Sequence, residues 1–305
     1  QWMEQRENAI TVEENFQKIL EGPLRLKKHR IPPALILFVL APTIGELLSG
    51  SSPPAEFFNP IAFLLLASLY GSGAIVVREL KIRWNKDFRA LLLLGAAYGI
   101  LEEGLMVKSF FDPAWMDLGI LGSFGRWLEV NWVWTEMLII YHAVFSITIP
   151  IVLVELAYPE RKDDRWVSNR WLMVFVALLV LVTAIGFFFL TPYVPPLPQY
   201  LLAILAMGIF IYTAYKLPAK SEKTETRDAR KPRLLWLVGL ASTAAFFILF
   251  WAGPQILDSP QIIMVLGFAL VFGMLRLLNR FSWEGVESPL NCLAIVAGAL
   301  SFLII

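Results

Sequence analysis

A chain of 305 residues in which 57% are hydrophobic and only 17% charged is too apolar to be a water-soluble domain. Its mean hydropathy of +0.64 places it among membrane proteins, and its net charge of +1 leaves no electrostatic footprint for nucleic acid. One cysteine excludes an internal disulfide and a cysteine-based metal site, and two histidines exclude a His-rich metal centre, so the expected cofactor and metal content is none.

Residues 1–30 are polar and lack the apolar core of a signal peptide. Thr11 and Glu14 form a capping-box pattern ahead of an apolar stripe of Val12, Phe16, Ile19 and Leu20. That predicts a short amphipathic helix on the membrane surface or on the bundle. A solvated tail is the equal alternative. Arg25, Lys27, Lys28 and Arg30 then lead toward the membrane.

Nine apolar runs follow, at about 33–50, 59–78, 89–111, 131–157, 170–191, 197–216, 234–252, 260–278 and 289–305. The expected fold is all-α, a polytopic membrane helix bundle of about nine transmembrane helices. Basic residues collect in alternate connections: Arg78, Lys81, Arg83 and Lys86; Arg161, Lys162, Arg165 and Arg170; Lys216 to Arg233; Arg276 and Arg280. The connections after runs one, five and seven carry no Lys or Arg. The positive-inside rule then places the N-terminus in the cytoplasm and the C-terminus outside an inner (plasma) membrane. The expected organisation is an N-terminal segment 1–30, a front bundle 31–217, a polar charge-mixed linker 218–232 and back helices 233–305. The outer loop 112–130 holds Gly119, Gly122 and Gly125 between Trp115 and Trp127, and is expected to fold back over the bundle.

The third run, 91–112, reads LLLLGAAYGILEEGLMVKSFFD. Its adjacent Glu102 and Glu103 lie deep in an apolar helix, where a carboxylate costs a few kcal/mol on insertion scales. On a helical wheel, Gly95, Gly99, Glu102, Glu103 and Met106 share an arc of roughly 100°. Gly95 and Gly99 make a small-xxx-small pair that admits a close neighbour, so the carboxylates point into the bundle. In the fourth run, Asn131, Thr135, Leu138, His142 and Ser146 form one stripe. Glu102 and Glu103 lie about 20 Å along their helix and His142 about 16 Å along its antiparallel neighbour, at comparable depth. A Glu102/Glu103–His142 cluster is therefore expected, with Glu46 able to join it. Lys108 and Arg126 are the nearest outer cations, candidates to neutralise one carboxylate or line the cavity. Tyr70 and its small neighbours form a mid-span polar patch, read as a close helix contact or a cavity wall. Glu136, about 120° off the His142 stripe, is expected near the headgroups. Arg78 and Glu79 are expected to form a local interfacial ion pair, and Glu155 to snorkel.

A helix with Glu-Glu followed by a helix with a lone His resembles the CPBP family, the CAAX-prenyl-protease and bacteriocin-processing intramembrane glutamate proteases. The family pattern is EExxxR, FxxxH, then HxxxN or HxxxD. By resemblance, Glu102 and Glu103 match the first motif and His142 the second, over residues 89–157. The chain departs from the pattern at Val107 in place of Arg and Leu138 in place of the aromatic, and it has no later His. The resemblance implies an intramembrane peptidase, independent of metal, in which a glutamate and a histidine activate water. The alternatives are a non-enzymatic membrane subunit, a proton- or ion-coupled transporter, and a purely structural polar network. The expected partners are membrane lipids and a membrane-embedded peptide or protein.

Overall fold

Proline and short polar side chains punctuate the chain. Helices open at Pro33, Pro54, Pro60, Pro232, Pro260 and Pro289, where the missing N–H costs nothing. Asn59 also caps the Pro60 helix through its side chain, and Asp87, Asn131 and Ser168 cap three others. The computed structural model describes residues 31–220, 231–280 and 289–304. The amphipathic segment expected in 1–30 and most of the 218–232 linker lie outside the described residues. Residues Pro33–Ile305 form one compact unit.

We number the helices α1 (Pro33–Leu48), α2 (Pro54–Phe57), α3 (Pro60–Arg83), α4 (Phe88–Gly99, continued by a π-turn at Ile100–Met106), α5 (Trp132–Ala157), α6 (Asn169–Phe189), α7 (Leu197–Lys216), α8 (Pro232–Ile256), α9 (Pro260–Arg280) and α10 (Pro289–Ile304). The all-α class is borne out. The expected nine full spans are not: six described helices, α3 and α5–α9, are long and apolar enough to cross a membrane. Helices α1 and α10 are apolar but shorter, and α4 carries Arg89, Glu102 and Glu103 within its run.

Helix α5 is the axis, with 78% of its apolar window buried, against 11% for α6, α7 and α9. Those outer helices turn Val180, Phe188, Leu201, Leu205, Val265 and Phe268 outward. An apolar belt of this extent belongs against lipid. The α4–α5 contact rests on the expected small residues. A Cβ on Gly95 would stand 2.8 Å from the Ala143 Cα, and one on Gly99 3.1 Å from the His142 Cβ, so only glycine lets these backbones meet.

The loop between α4 and α5 folds over one end of the bundle, as its glycines and tryptophans suggested. A short 3₁₀ turn at Gly119–Gly122 buries Leu118 and Leu121, and a two-residue hairpin pairs Arg126–Trp127 with Val130–Asn131. Gly125, at φ +77°, closes it where a side chain would strike Val133.

The opposite, basic end is anchored by Arg78, which is completely buried. Its guanidinium meets Glu79 at 3.1 Å and Glu155 at 3.3 Å, and donates to the carbonyls of Lys162 at 2.7 Å and Asp164 at 2.5 Å. It also lies 3.7 Å over the Trp166 ring. The pair expected to be local and interfacial is therefore the hub joining α3, α5 and the following loop. Glu155 does not snorkel, because Arg78 and Lys81 hold it inward. Glu136 is likewise buried, with both carboxylate oxygens lacking a hydrogen-bond partner and Oε1 facing the space beside Gly267. Packing of α9 against α5 covers it, which a single-helix wheel does not register.

Arg78→Ala removes one of the two arginines that meet Glu79 at 3.1 Å, together with the contacts to Glu155 and the loop carbonyls, and should cost about 3–5 kcal/mol, seen as a large drop in thermal unfolding temperature in detergent. Arg78→Lys should recover little of it, since a single ammonium cannot reproduce the fork of contacts. Gly95→Val should separate α4 from α5 and unfold the protein at lower temperature than Gly208→Val, whose Cβ would meet open space.

Candidate functional site

Four helices each widen into a π-turn at the same place. Thr43–Leu48 carries Glu46, Ala67–Gly71 carries Tyr70, Ile100–Met106 carries Glu102 and Glu103, and His142–Thr148 carries His142 and Ser146. A π-turn admits one more residue per hydrogen-bonded ring than an α-turn, and such turns recur at functional sites. Here the extra residue lets both members of the Glu102-Glu103 pair reach one imidazole.

Glu103 Oε1 lies 3.2 Å from His142 Nε2, and Glu102 Oε2 lies 3.2 Å from Nδ1. Nδ1 makes its hydrogen bond with the Ser146 hydroxyl at 3.0 Å, leaving Glu102 Oε2 close but without a hydrogen-bond partner. Ser109 Oγ donates to Glu103 Oε2, and the Trp134 indole donates to Ser109 Oγ at 3.0 Å. Glu103 is thus held at both oxygens, while Glu102 keeps one open. Glu46 accepts from Ser52 at 2.6 Å and from the Tyr70 hydroxyl, and it feels the charges of His142 and Glu103. Among the described residues, His142 is the basic side chain within ion-pair distance of Glu102 and Glu103.

The imidazole is ringed by tyrosines. Its centroid is 5.4 Å from Tyr141, 6.1 Å from Tyr98 and 6.2 Å from Tyr70. Tyr141 donates to the Gly45 carbonyl at 2.9 Å. The Tyr98 hydroxyl is buried and lies beside the Glu102 carboxylate. Glu102 and His142 are buried, and Glu103 is the more exposed of the acids, at 14% for its side chain. It faces the loop over the bundle, where burial and then the Glu103 charge push the Asp117 carboxyl above its ordinary range.

The structure therefore gathers Glu46, Tyr70, Glu102, Glu103, His142 and Ser146 and leaves four candidates elsewhere. Lys108 sits at φ +64°, which turns the chain away from the carboxylates. Its ammonium donates to the carbonyls of Phe187 at 2.8 Å and Thr191 at 3.0 Å. Arg126 donates to the Phe111 carbonyl at 2.8 Å inside the loop. Neither neutralises the acid pair. Asn131 lies on the His142 stripe, but its amide caps α5 and donates to the Leu121 carbonyl. Thr135 returns its hydroxyl to the Asn131 carbonyl at 2.7 Å. Both polar groups serve the start of their own helix.

Tyr98, Tyr141, Ser109 and Trp134 were not anticipated. Tyr98 stands four residues before Glu102, on the same helical face, and Tyr141 adjoins His142, so both were readable in principle. Ser109 and Trp134 meet only because the chain reverses after Val107.

Glu102, Glu103 and His142 each offer one donor atom, all within 4.8 Å of one another. Two carboxylates and an imidazole suit zinc, manganese or iron(II), so a metal would not need a His-rich centre. Without metal, the same groups form a coupled acid–base set, in which closely spaced buried carboxylates and an imidazole share protons.

His142→Ala should leave Glu102 and Glu103 without their cation and cost about 3–5 kcal/mol, measured as a fall in unfolding temperature. Glu102→Gln added to that background should recover part of the loss. An unfolding temperature unchanged by His142→Ala would mean that the cluster carries no ion pair.

No curated protein and no solved structure matches the chain. The sequence model of an uncharacterized membrane protein family matches residues 35–305, and the chain belongs to that family.

Proposed function

We propose that this membrane protein is a divergent CPBP-like intramembrane peptidase in which Glu102 and His142 activate a water against a membrane-embedded peptide. The observation that carries the reading is the imidazole set between two carboxylates, 3.2 Å from each. Glu102 has an oxygen open to take a water proton, while Glu103 and Ser146 orient the ring. The CPBP likeness rests on the Glu-Glu and His pattern, and the family match assigns no activity. The second histidine motif of that family is missing. The Tyr98 hydroxyl, buried beside Glu102, supplies the oxyanion donor that hydrolysis requires.

The alternatives are a non-enzymatic membrane subunit and a proton- or ion-coupled transporter. A relay needs polar groups continuing across the bundle. Between the cluster and Arg78 lie buried Ala74, Ile75, Leu91, Leu94, Ile147 and Ile151, with Ser72 and Thr148 as polar exceptions. That layer favours a closed reaction or binding site over a relay. We further propose that the basic end around Arg78 and Lys81 is cytoplasmic and the loop over Glu103 faces outward, in a plasma (inner) membrane, following the positive-inside rule.

The test uses the purified protein in phospholipid vesicles with a library of quenched fluorogenic transmembrane peptides. Cleavage is expected, with Glu102→Gln and His142→Ala slowing it at least about 100-fold and Tyr98→Phe slowing it less. EDTA should leave the rate unchanged. Cleavage abolished by EDTA and restored by zinc or manganese would replace the metal-free mechanism with one in which the same three side chains hold an ion. Cleavage unaffected by Glu102→Gln, or none with any peptide, would overturn the peptidase reading.

A further inference from the structure

Another buried acid lies outside the cluster and serves no step of the proposed hydrolysis. Glu136 sits in the seam where α8 and α9 pack on α5. It is 7% exposed, and neither carboxylate oxygen has a hydrogen-bond partner among the described residues. A Cβ on Gly267 of α9 would stand 2.5 Å from Glu136 Oε1 and 2.8 Å from the Cζ of Phe250 on α8. The carboxyl, the glycine and the phenyl ring therefore meet at one point. Helix α8 leaves its regular winding there, in a π-turn at Ile248–Ala252 that carries Phe250, and such turns recur at functional sites.

The surroundings are apolar on every helix that meets there. Helix α5 buries Val133 and Met137 on either side of Glu136, α9 buries Ile263 one turn before Gly267, and Phe250 is completely buried. Helices α8 and α9 carry no titratable side chain between Arg233 and Asp258 or between Asp258 and Arg276. Asp258 is exposed in the turn that joins them. Arg276 stands beyond Gly267 by roughly 13 Å along α9. On α5 itself, His142 is turned to Glu102 and Glu103, and Tyr141 to the Gly45 carbonyl. An apolar cavity of about 170 Å³ begins one turn along the same seam, at Ile140, Phe246 and Leu270.

A lone carboxylate ion in such a seam forfeits its hydration with nothing in return, whereas a neutral carboxylic acid loses far less. We propose that Glu136 is a proton-binding site, and that the seam between α5, α8 and α9 closes over the neutral acid. With its proton, the side chain is a small and weakly polar group that fits against Gly267 and the Phe250 ring. Without it, the carboxylate requires water, and one helix must give way to admit it. That helix is α9, the least held of the three, with 11% of its apolar window buried against 28% for α8 and 78% for α5. The bundle thus contains a proton-linked contact between α5 and α9. It is distinct from the Glu102–His142–Glu103 cluster and does not rest on the peptidase reading.

The test compares the full chain with its Glu136→Gln variant in phospholipid vesicles, by infrared spectroscopy and by amide hydrogen exchange read with mass spectrometry. At neutral pH the native protein should show a carboxylic-acid carbonyl band, shifted in heavy water, that the variant lacks. The other acids are common to both proteins and cancel in the difference. Raising the pH should remove that band from the native protein. At the same alkaline pH, amides of α9 around Gly267 should exchange severalfold faster in the native protein than in the variant, because opening of the seam exposes them. Glutamine keeps the size of the side chain and cannot ionise; Glu136→Leu also removes the charge and serves if the first variant does not fold. Identical acid bands in native and variant protein at neutral pH, or equal α9 exchange in the two at alkaline pH, would each overturn the proposal.

Discussion

Three carboxylates withdrawn from water around one imidazole set the terms for this structure. A buried carboxylate is tolerated only when hydrogen bonds or an opposite charge compensate its lost hydration. Glu46 meets this through Ser52 and Tyr70, and Glu103 through Ser109 and His142. Glu102 relies on His142 alone for charge and keeps an oxygen unpaired. Each compensating group comes from a different part of the chain, so α1, α3, α4 and α5 must converge at one depth. The π-turns make that convergence possible, and Gly95 and Gly99 let α4 and α5 approach closely enough. An unpaired buried polar group in a native protein points to reaction or binding, because burial without compensation is otherwise removed by packing.

The basic end solves the same physical problem by the opposite means. Arg78 is as buried as Glu102, yet two carboxylates, several carbonyls and an indole face satisfy its guanidinium. That saturation makes it an anchor. The acid cluster is undersaturated, because Glu102 Oε2 lacks a hydrogen-bond partner. Mostly apolar buried side chains, Ala74, Ile75, Leu91, Leu94, Ile147 and Ile151, separate the two. The bundle thus has a polar base, an apolar middle and a polar cluster beneath a folded loop, with apolar back helices closing one side.

Conversion of charge to mechanism depends on this asymmetry. Glu103 is fixed by Ser109, which Trp134 in turn fixes, while His142 is walled by three aromatic rings. In the proposed hydrolysis, an imidazole held in this way next to an unsatisfied carboxylate would require little reorganisation. The same rigidity would hold a metal ion, and the donor set is chemically suited to one.

The sequence by itself determined the membrane class, the helical architecture and the Glu102, Glu103 and His142 nucleus. Runs of apolar residues permit nothing but helices in lipid, the wheel pointed the acid pair inward, and matching depths put His142 beside it. The inclusion of Glu46 and Ser146 followed from the same reasoning. The tertiary structure decided what depends on several helices meeting. Lys108 and Arg126 were legible as nearby cations, but a left-handed residue and a loop carbonyl drew them away. Glu136 read as a headgroup residue until α9 packed over it. Arg78 read as a surface pair until α5 and its loop closed around it. The π-turns left no mark in the residue pattern. Pairwise spacing along one helix is written in sequence; the compensation of buried charge between helices is not, because it is settled only when the helices pack.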